Sequence, residues 1–266
     1  MENRARVGLN YIWRWKTTSL RYFIEFSYKG TAYHGWQKQP NAKSVQEVLE
    51  KGLSTLCRIP IEVVGAGRTD SGVHASQMFA HFDANELLDS GELVFRLNSF
   101  LPEDIAVKGI RKVAGEAHAR FDAIARTYAY WIVQEKNPFY TDSAHCILRP
   151  LDLAAMNEAA AILMEYQDFK CFSRSNTDVK TFLCEVREAF WKSDGEKLIF
   201  TISADRFLRN MVRAIVGTLL DVGMSKRKPE EIRGVIESRD RGKAGASVPA
   251  KGLYLTKVGY PETIFI

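Results

Sequence analysis

Apolar and polar residues alternate with a period of two from Leu20 through Tyr22, Ile24 and Phe26, which predicts a half-buried strand over residues 20 to 28. The period then changes. Ser44-x-x-Glu47 reads as a capping box that opens a helix over residues 44 to 56. Ile61, Val63 and Val64 read as a buried strand, and Met78, Ala80 and Phe82 alternate as another. Between them lies Gly65-Ala66-Gly67-Arg68-Thr69-Asp70-Ser71-Gly72-Val73-His74-Ala75, a glycine-rich loop between two predicted strands.

A second run of elements follows: a strand over 121 to 133, a helix over 152 to 166 and a hairpin of strands 181 to 191 and 197 to 204 turning at Asp194-Gly195. Helices are predicted near 206 to 222 and 229 to 240. Strands and helices alternate without repeats or low-complexity tracts, which suggests an α+β fold with antiparallel pairing. We place a boundary near residues 112 to 120, dividing a first half, 20 to 115, from a second, 116 to 266.

Composition agrees with a folded protein, since 266 residues with 46% hydrophobic content can bury one large core or two smaller ones. The four cysteines, Cys57, Cys146, Cys171 and Cys184, form no Cys-x-x-Cys pair and no metal-ligand spacing. Neither a disulfide framework nor a zinc site is indicated, and a reducing cytoplasm fits. No apolar run approaches a membrane span, and the amino terminus lacks the apolar core of a signal peptide. Residues 1 to 19 carry Arg4, Arg6, Arg14 and Lys16 among Tyr11, Trp13 and Trp15. An RNA-touching arm or an Arg-rich transit peptide has this composition, but an unstructured extension is the expectation, because the strand pattern begins only at Leu20.

Asp70 is the candidate chemical group: a lone carboxylate in a glycine-rich loop fits a nucleophile or base, although ordinary turns also collect Asp, Ser and Gly. A dinucleotide fingerprint fails because Asp70 stands where the third glycine belongs. A serine-hydrolase elbow fails because Thr69 precedes Ser71 by two. Asp70-Ser71-Gly72 matches the aspartic-protease triplet, but that chemistry needs a second carboxylate sharing one proton. The chain has no second triplet, so only a symmetric dimer could supply one, and Arg68 opposes a shared proton.

The net charge of +5 is carried by one segment: residues 206 to 243 hold ten Lys/Arg and five Asp/Glu. Within the predicted helix, Phe207, Leu208, Met211, Val212, Ile215, Val216, Leu219 and Leu220 form an apolar stripe, and Arg206, Arg209 and Arg213 follow as one ridge. Cations in the first half of a helix oppose its dipole, so the ridge calls for an acidic partner, either phosphate or a carboxylate. Tyr128, sharing a strand face with Arg126, Tyr130 and Ile132, reads by itself as packing.

The residues around Asp70 resemble the TruA-type tRNA pseudouridine synthases, whose loop reads Arg-Thr-Asp-x-Gly-Val-His-Ala. The resemblance extends through Tyr28 to Gln37, Leu101 to Ile105, Ala119 to Ala123 with Arg126-Thr127-Tyr128, Phe207 to Arg213 and Pro249 to Leu255. It covers about residues 20 to 260 and leaves the first 19 unmatched; Ser71 stands where Ala is common, and Asp205-Arg206 where Gly is common. The resemblance implies a pseudouridine synthase fold: two similar halves with antiparallel sheets joined around a central basic cleft. It implies that Asp70 acts as nucleophile, Arg213 pairs with it, and Tyr128 stacks on the target uracil.

Arg68 then corresponds to the residue that fills the space of the flipped base, and Arg206 and Arg209 bind phosphate. His74, four residues after Asp70, is expected to fix the loop rather than act as a base. The implied reaction isomerises uridine to pseudouridine in tRNA, at positions 38 to 40 of the anticodon stem and loop. It needs no metal and no cofactor. The implied partners are tRNA and a second copy of the chain, with no membrane. A non-catalytic tRNA-binding or chaperone protein is the alternative, disfavoured because a carboxylate facing polyanionic RNA lowers affinity.

Overall fold

The computed structural model describes residues 19–87, 89–174 and 179–266. Of the arm of residues 1 to 19, all but Ser19 therefore lies outside the described residues. The first half comprises β1 (Leu20–Tyr28), α1 (Val45–Cys57), β2 (Val64–Gly65), β3 (His74–Ala84), α2 (Ser90–Phe100) and β4 (Ile105–Lys112). The remainder comprises β5 (Ala125–Val133), β6 (His145–Cys146), α3 (Leu153–Ile162), β7 (Val186–Asp194), β8 (Lys197–Ala204), α4 (Met211–Gly223), α5 (Glu231–Glu237) and β9 (Leu253–Gly259). The class is α+β, as the alternation of patterns predicted.

One sheet runs through the molecule in the order β4-β1-β3-β9-β5-β8-β7, with β2 beside β3 and β6 beside β5. Its pairings are antiparallel except β5 with β6 and β3 with β9. The β3–β9 contact is only two residue pairs long, His74 with Tyr254 and Ala75 with Leu255, and it is where the two parts of the sheet meet. The Asp70 loop ends at this seam.

Each part buries its own apolar cluster. Tyr22, Ile24 and Phe26 of β1 are buried with Leu49 and Leu53 of α1 and with Met78, Ala80 and Phe82 of β3, as the period of two required. Phe23, on the opposite face of β1, is also buried, because the chain end returns over it: its ring meets Tyr260 at 5.1 Å and Phe265 at 6.1 Å, both edge to face. The second cluster joins Tyr130 and Ile132 of β5, Phe200 and Ile202 of β8, and Met211, Ile215 and Leu219 of α4. Burial of such side chains stabilises by about 1.5–3 kcal/mol each. Partly buried Tyr128 packs against both clusters.

Several boundaries differ from the sequence reading. Ser44 caps α1 as expected, accepting the Glu47 N–H at 3.2 Å. Ile61 and Val63 are buried, but the ladder beside them is only Val64–Gly65. The strand predicted from 121 begins at Ala125, and the hairpin turns at Gly195-Glu196, where Gly195 takes φ +59°. Helix α2 and strand β4 were not anticipated. The largest correction is α4, which starts at Met211 rather than 206. Asn210 sits at φ +67° with its amide donating to Ser247 Oγ at 2.7 Å. Asp205 Oδ1 accepts the N–H groups of Glu185 and Arg206, both at 2.7 Å. These contacts hold 205–210 as a loop, so Arg206 and Arg209 precede the helix and the three arginines form no helical ridge.

Candidate active site

The Asp70 loop is braced from beneath by the segment that follows β1. Trp36 N–H donates to Thr69 O at 3.3 Å, Gly72 N–H donates to Tyr33 O at 3.3 Å, and Ser71 Oγ donates to the same carbonyl at 3.3 Å. The Tyr28 and Thr69 hydroxyls share a hydrogen bond of 2.8 Å. Gly35 permits this approach: at φ +96° it lies so close that a Cβ would sit 2.4 Å from Thr69 O. Gly72, at φ +77°, lets the loop reverse after Asp70, where Val73 N–H closes on Asp70 O at 3.2 Å.

His74 fixes the loop's exit. Its Nδ1 accepts Gly30 N–H at 3.0 Å, so the proton resides on Nε2, which donates to Lys251 O at 3.0 Å. Burial pushes its pKa down, consistent with a neutral ring stacked on Tyr254 at 4.6 Å. Both nitrogens are engaged, which leaves the ring a structural tie between the two parts of the sheet.

Two arginines converge on the Asp70 carboxylate. Arg213 Nη1 lies 3.4 Å from Oδ2, and Arg209 Nε lies 3.8 Å from Oδ1. Arg213, in the first turn of α4, is steadied by its own Nε donating to Val248 O at 2.7 Å. The Asp70 side chain remains 31% exposed, so solvent or substrate can reach it. The contacts are long enough to leave its oxygens open to a ligand. Such cationic neighbours suit an anionic nucleophile or base and disfavour the proton-sharing dyad of an aspartic protease.

Tyr128 projects from β5, its ring edge to face with Phe207 at 5.1 Å. Burial pushes its hydroxyl pKa up to about 12, with Arg126 opposing the shift and Asp70 adding to it. The structure thus brings Asp70, Arg213 and Arg209 together, with Tyr128 near enough for the Asp70 charge to act on its hydroxyl. Arg68 lies two residues before Asp70 and is exposed, and Arg206 lies in the loop ahead of α4. Arg209 is the surprise, since its neighbour here is the carboxylate.

Sequence reasoning passed over Arg126. Its Nη1 donates to Ala123 O at 2.7 Å and Asp205 O at 2.8 Å, and its Nη2 donates to Arg120 O at 2.5 Å and Ala66 O at 3.1 Å. One half-buried guanidinium ties the entry of the Asp70 loop to the loop before β5 and to the loop that presents Arg206 and Arg209. Its place in Arg126-Thr127-Tyr128 was the available signal. The basic segment is also less free than its composition suggested. Lys226 and Arg227 pair with Asp221 at 3.2 and 3.9 Å, Arg239 with Asp168 at 2.6 Å, and Arg233 with Glu165.

All four cysteines are free. Among the described residues no group of three or more His, Cys, Asp or Glu converges as metal ligands, and no helix is long and apolar enough to cross a membrane.

Comparison with known proteins places this chain in a class. A family model described as tRNA pseudouridine synthase matches residues 25–122 and 159–261, which include Asp70 and Arg213 and leave Tyr128 between the matched stretches. The chain is 55% identical to tRNA pseudouridine synthase A of Bacteroides thetaiotaomicron over 248 residues, 92% of each chain. It is 53% identical to tRNA pseudouridine synthase A of Bacteroides fragilis, over 92% of this chain and 98% of that protein. It is 40% identical to tRNA pseudouridine synthase A 2 of Clostridium perfringens, over 89% and 98%. The chain belongs to the tRNA pseudouridine synthase family, and its class is that of an isomerase.

Proposed function

We propose that this enzyme converts uridine to pseudouridine in tRNA at positions 38 to 40 of the anticodon stem and loop, with Asp70 as its nucleophile and no cofactor. The observation that carries the reading is the Asp70 carboxylate, partly exposed on a braced loop, with Arg213 and Arg209 at its two oxygens. The reaction breaks the N1–C1′ bond, turns the base and forms a C5–C1′ bond, while the C5 proton is lost and N1 gains one. Atoms and electrons balance within the nucleoside. A carboxylate serves this chemistry by attacking C1′, by adding to the base or by taking a sugar proton.

In this reading Tyr128 stacks on the extruded uracil and Arg213 holds Asp70 in line. Arg68 enters the space that the base leaves, and Arg206 and Arg209 meet phosphates. Extrusion costs a few kcal/mol, which these contacts offset. The enzyme acts in the cytoplasm as a homodimer with tRNA lying in a basic cleft between the two halves.

The test is incubation with unmodified tRNA, followed by mapping of pseudouridine. The wild-type protein should modify positions 38 to 40, equally well after chelation once the tRNA fold is held constant. Asp70→Asn should abolish product while binding tRNA as tightly or more so. Turnover by Asp70→Asn would refute the nucleophile, and tRNA binding without product in the wild type would favour a binding protein.

A further inference from the structure

We propose that Phe121, presented with Arg120 on the loop between β4 and β5, is a stacking platform for an unpaired RNA base next to the target nucleotide. The proposal rests on tRNA being the substrate and goes beyond the Asp70 site. A singly exposed apolar side chain is ordinary on a protein surface and carries no message alone. Phe121 differs in how it is held and in where it stands.

Its ring is 74% exposed, yet the backbone on both sides of it is fixed. His118 Nδ1 accepts the N–H of Arg120 at 3.1 Å and of Phe121 at 3.3 Å. Asp122 closes the turn, its Oδ2 accepting His118 N–H at 2.7 Å and its own N–H reaching His118 O at 3.0 Å. Below, Ala119 N–H donates to Nδ1 of buried His81 at 3.1 Å, and the Tyr260 hydroxyl donates to Ala119 O at 2.5 Å. The rings form a column of contacts: His81 meets His118 edge to face, centroids 4.6 Å apart and planes 64° from parallel, and His118 and Phe121 lie 4.3 Å apart with planes 35° from parallel. The column starts in the core and ends in a ring open to solvent. Much of the ordering cost of binding is therefore met before a ligand arrives.

Its position is set by Arg126, whose Nη2 donates to Arg120 O and also to Ala66 O. The two carbonyls share one nitrogen, so the platform adjoins the entry of the loop that carries Arg68 and Asp70. A phenyl face offers no charge and no hydrogen bond, but every nucleobase has a π face that can stack on it, whatever its identity. Arg120, exposed and with its guanidinium 5.7 Å from the ring centre, and exposed Arg68 supply cations suited to the flanking phosphates. An aromatic between arginines fits a nucleotide better than an apolar protein face.

The experiment compares wild type, Phe121→Leu and Phe121→Trp as full chains on an unmodified tRNA transcript, measuring Kd against salt, KM, kcat and sedimentation. Phe121→Leu keeps apolar bulk on an exposed site and removes the π face. It should raise Kd and KM about tenfold, more than it lowers kcat, with the salt slope unchanged. Phe121→Trp should restore affinity and show indole quenching on tRNA addition beyond that of the wild type. Wild-type affinity in Phe121→Leu would overturn the proposal, and so would a shift from dimer to monomer, which would place the ring in a protein interface. If the wild type makes no pseudouridine yet binds tRNA with the same dependence on Phe121, the stacking stands and the proposed reaction falls.

Discussion

Replacing Arg213 by Ala removes the guanidinium whose Nη1 lies 3.4 Å from Asp70 Oδ2. A charge pair at that separation interacts by about 5 kcal/mol at an effective dielectric near 20 and by about 1 kcal/mol in bulk water. The two side chains are 22% and 31% exposed, which places the pair between these limits. Taken as the energy that keeps Asp70 aligned for reaction, a loss of about 2–3 kcal/mol corresponds to a fall of roughly 10²-fold in rate. Arg209 stands 3.8 Å from the other oxygen but is 58% exposed, so screening holds its effect near the water limit, about fivefold in rate. Because both cations act on one carboxylate, the double variant should fall below the product of the singles. The assay is single-turnover pseudouridine formation at saturating tRNA, beside Kd measured across salt concentrations. Arg213→Ala should collapse the rate with binding nearly intact. Arg206→Ala and Arg209→Ala should each reduce the salt slope by about one unit. If Arg213→Ala weakens binding while its saturated rate stays normal, the pairing of Arg213 with Asp70 has no catalytic role.

Two further outcomes follow from buried polar groups. Arg126→Lys keeps the charge but loses the fork that spans four carbonyls. It should lower Tm by several degrees and reduce kcat more than it raises KM; an unchanged kcat in protein that remains folded would show that Arg126 braces the fold without positioning Asp70. His81 is held neutral in the fold, its pKa pushed from 6.5 down to about 4 chiefly by burial and next by Arg21. The unfolded chain takes up this proton near pH 6.5 and the folded chain does not, so stability is full above that pH and declines toward pH 4. Thermal melts should show Tm falling across that window, less steeply in His81→Asn, which keeps an acceptor for Ala119 N–H. His74 and His145, also pushed down by burial, add slope of the same sign, so an identical slope in His81→Asn would remove His81 from the account.

Local pattern determined much of this protein. The period of two in Tyr22, Ile24 and Phe26, the Ser44 cap and the glycines about Asp70 act over a few residues, and each appears where its spacing put it. The motif blocks pointed to Asp70, Arg213 and Tyr128, and the fold sets Arg213 against the Asp70 carboxylate. Three things were decided only by tertiary structure. Phe23 is buried because the chain end returns over it from more than two hundred residues away, which no local period records. The start of α4 was misread because Phe207 and Leu208 continue its apolar spacing, while Asn210 and the Asp205 carboxylate, bound to Ser247 and Glu185, hold those residues as a loop. That loop is why Arg209 reaches Asp70 instead of lying on a helical ridge. Arg126 was invisible as a clamp because its four partners are backbone carbonyls, which every residue has and which only the fold can aim at one guanidinium.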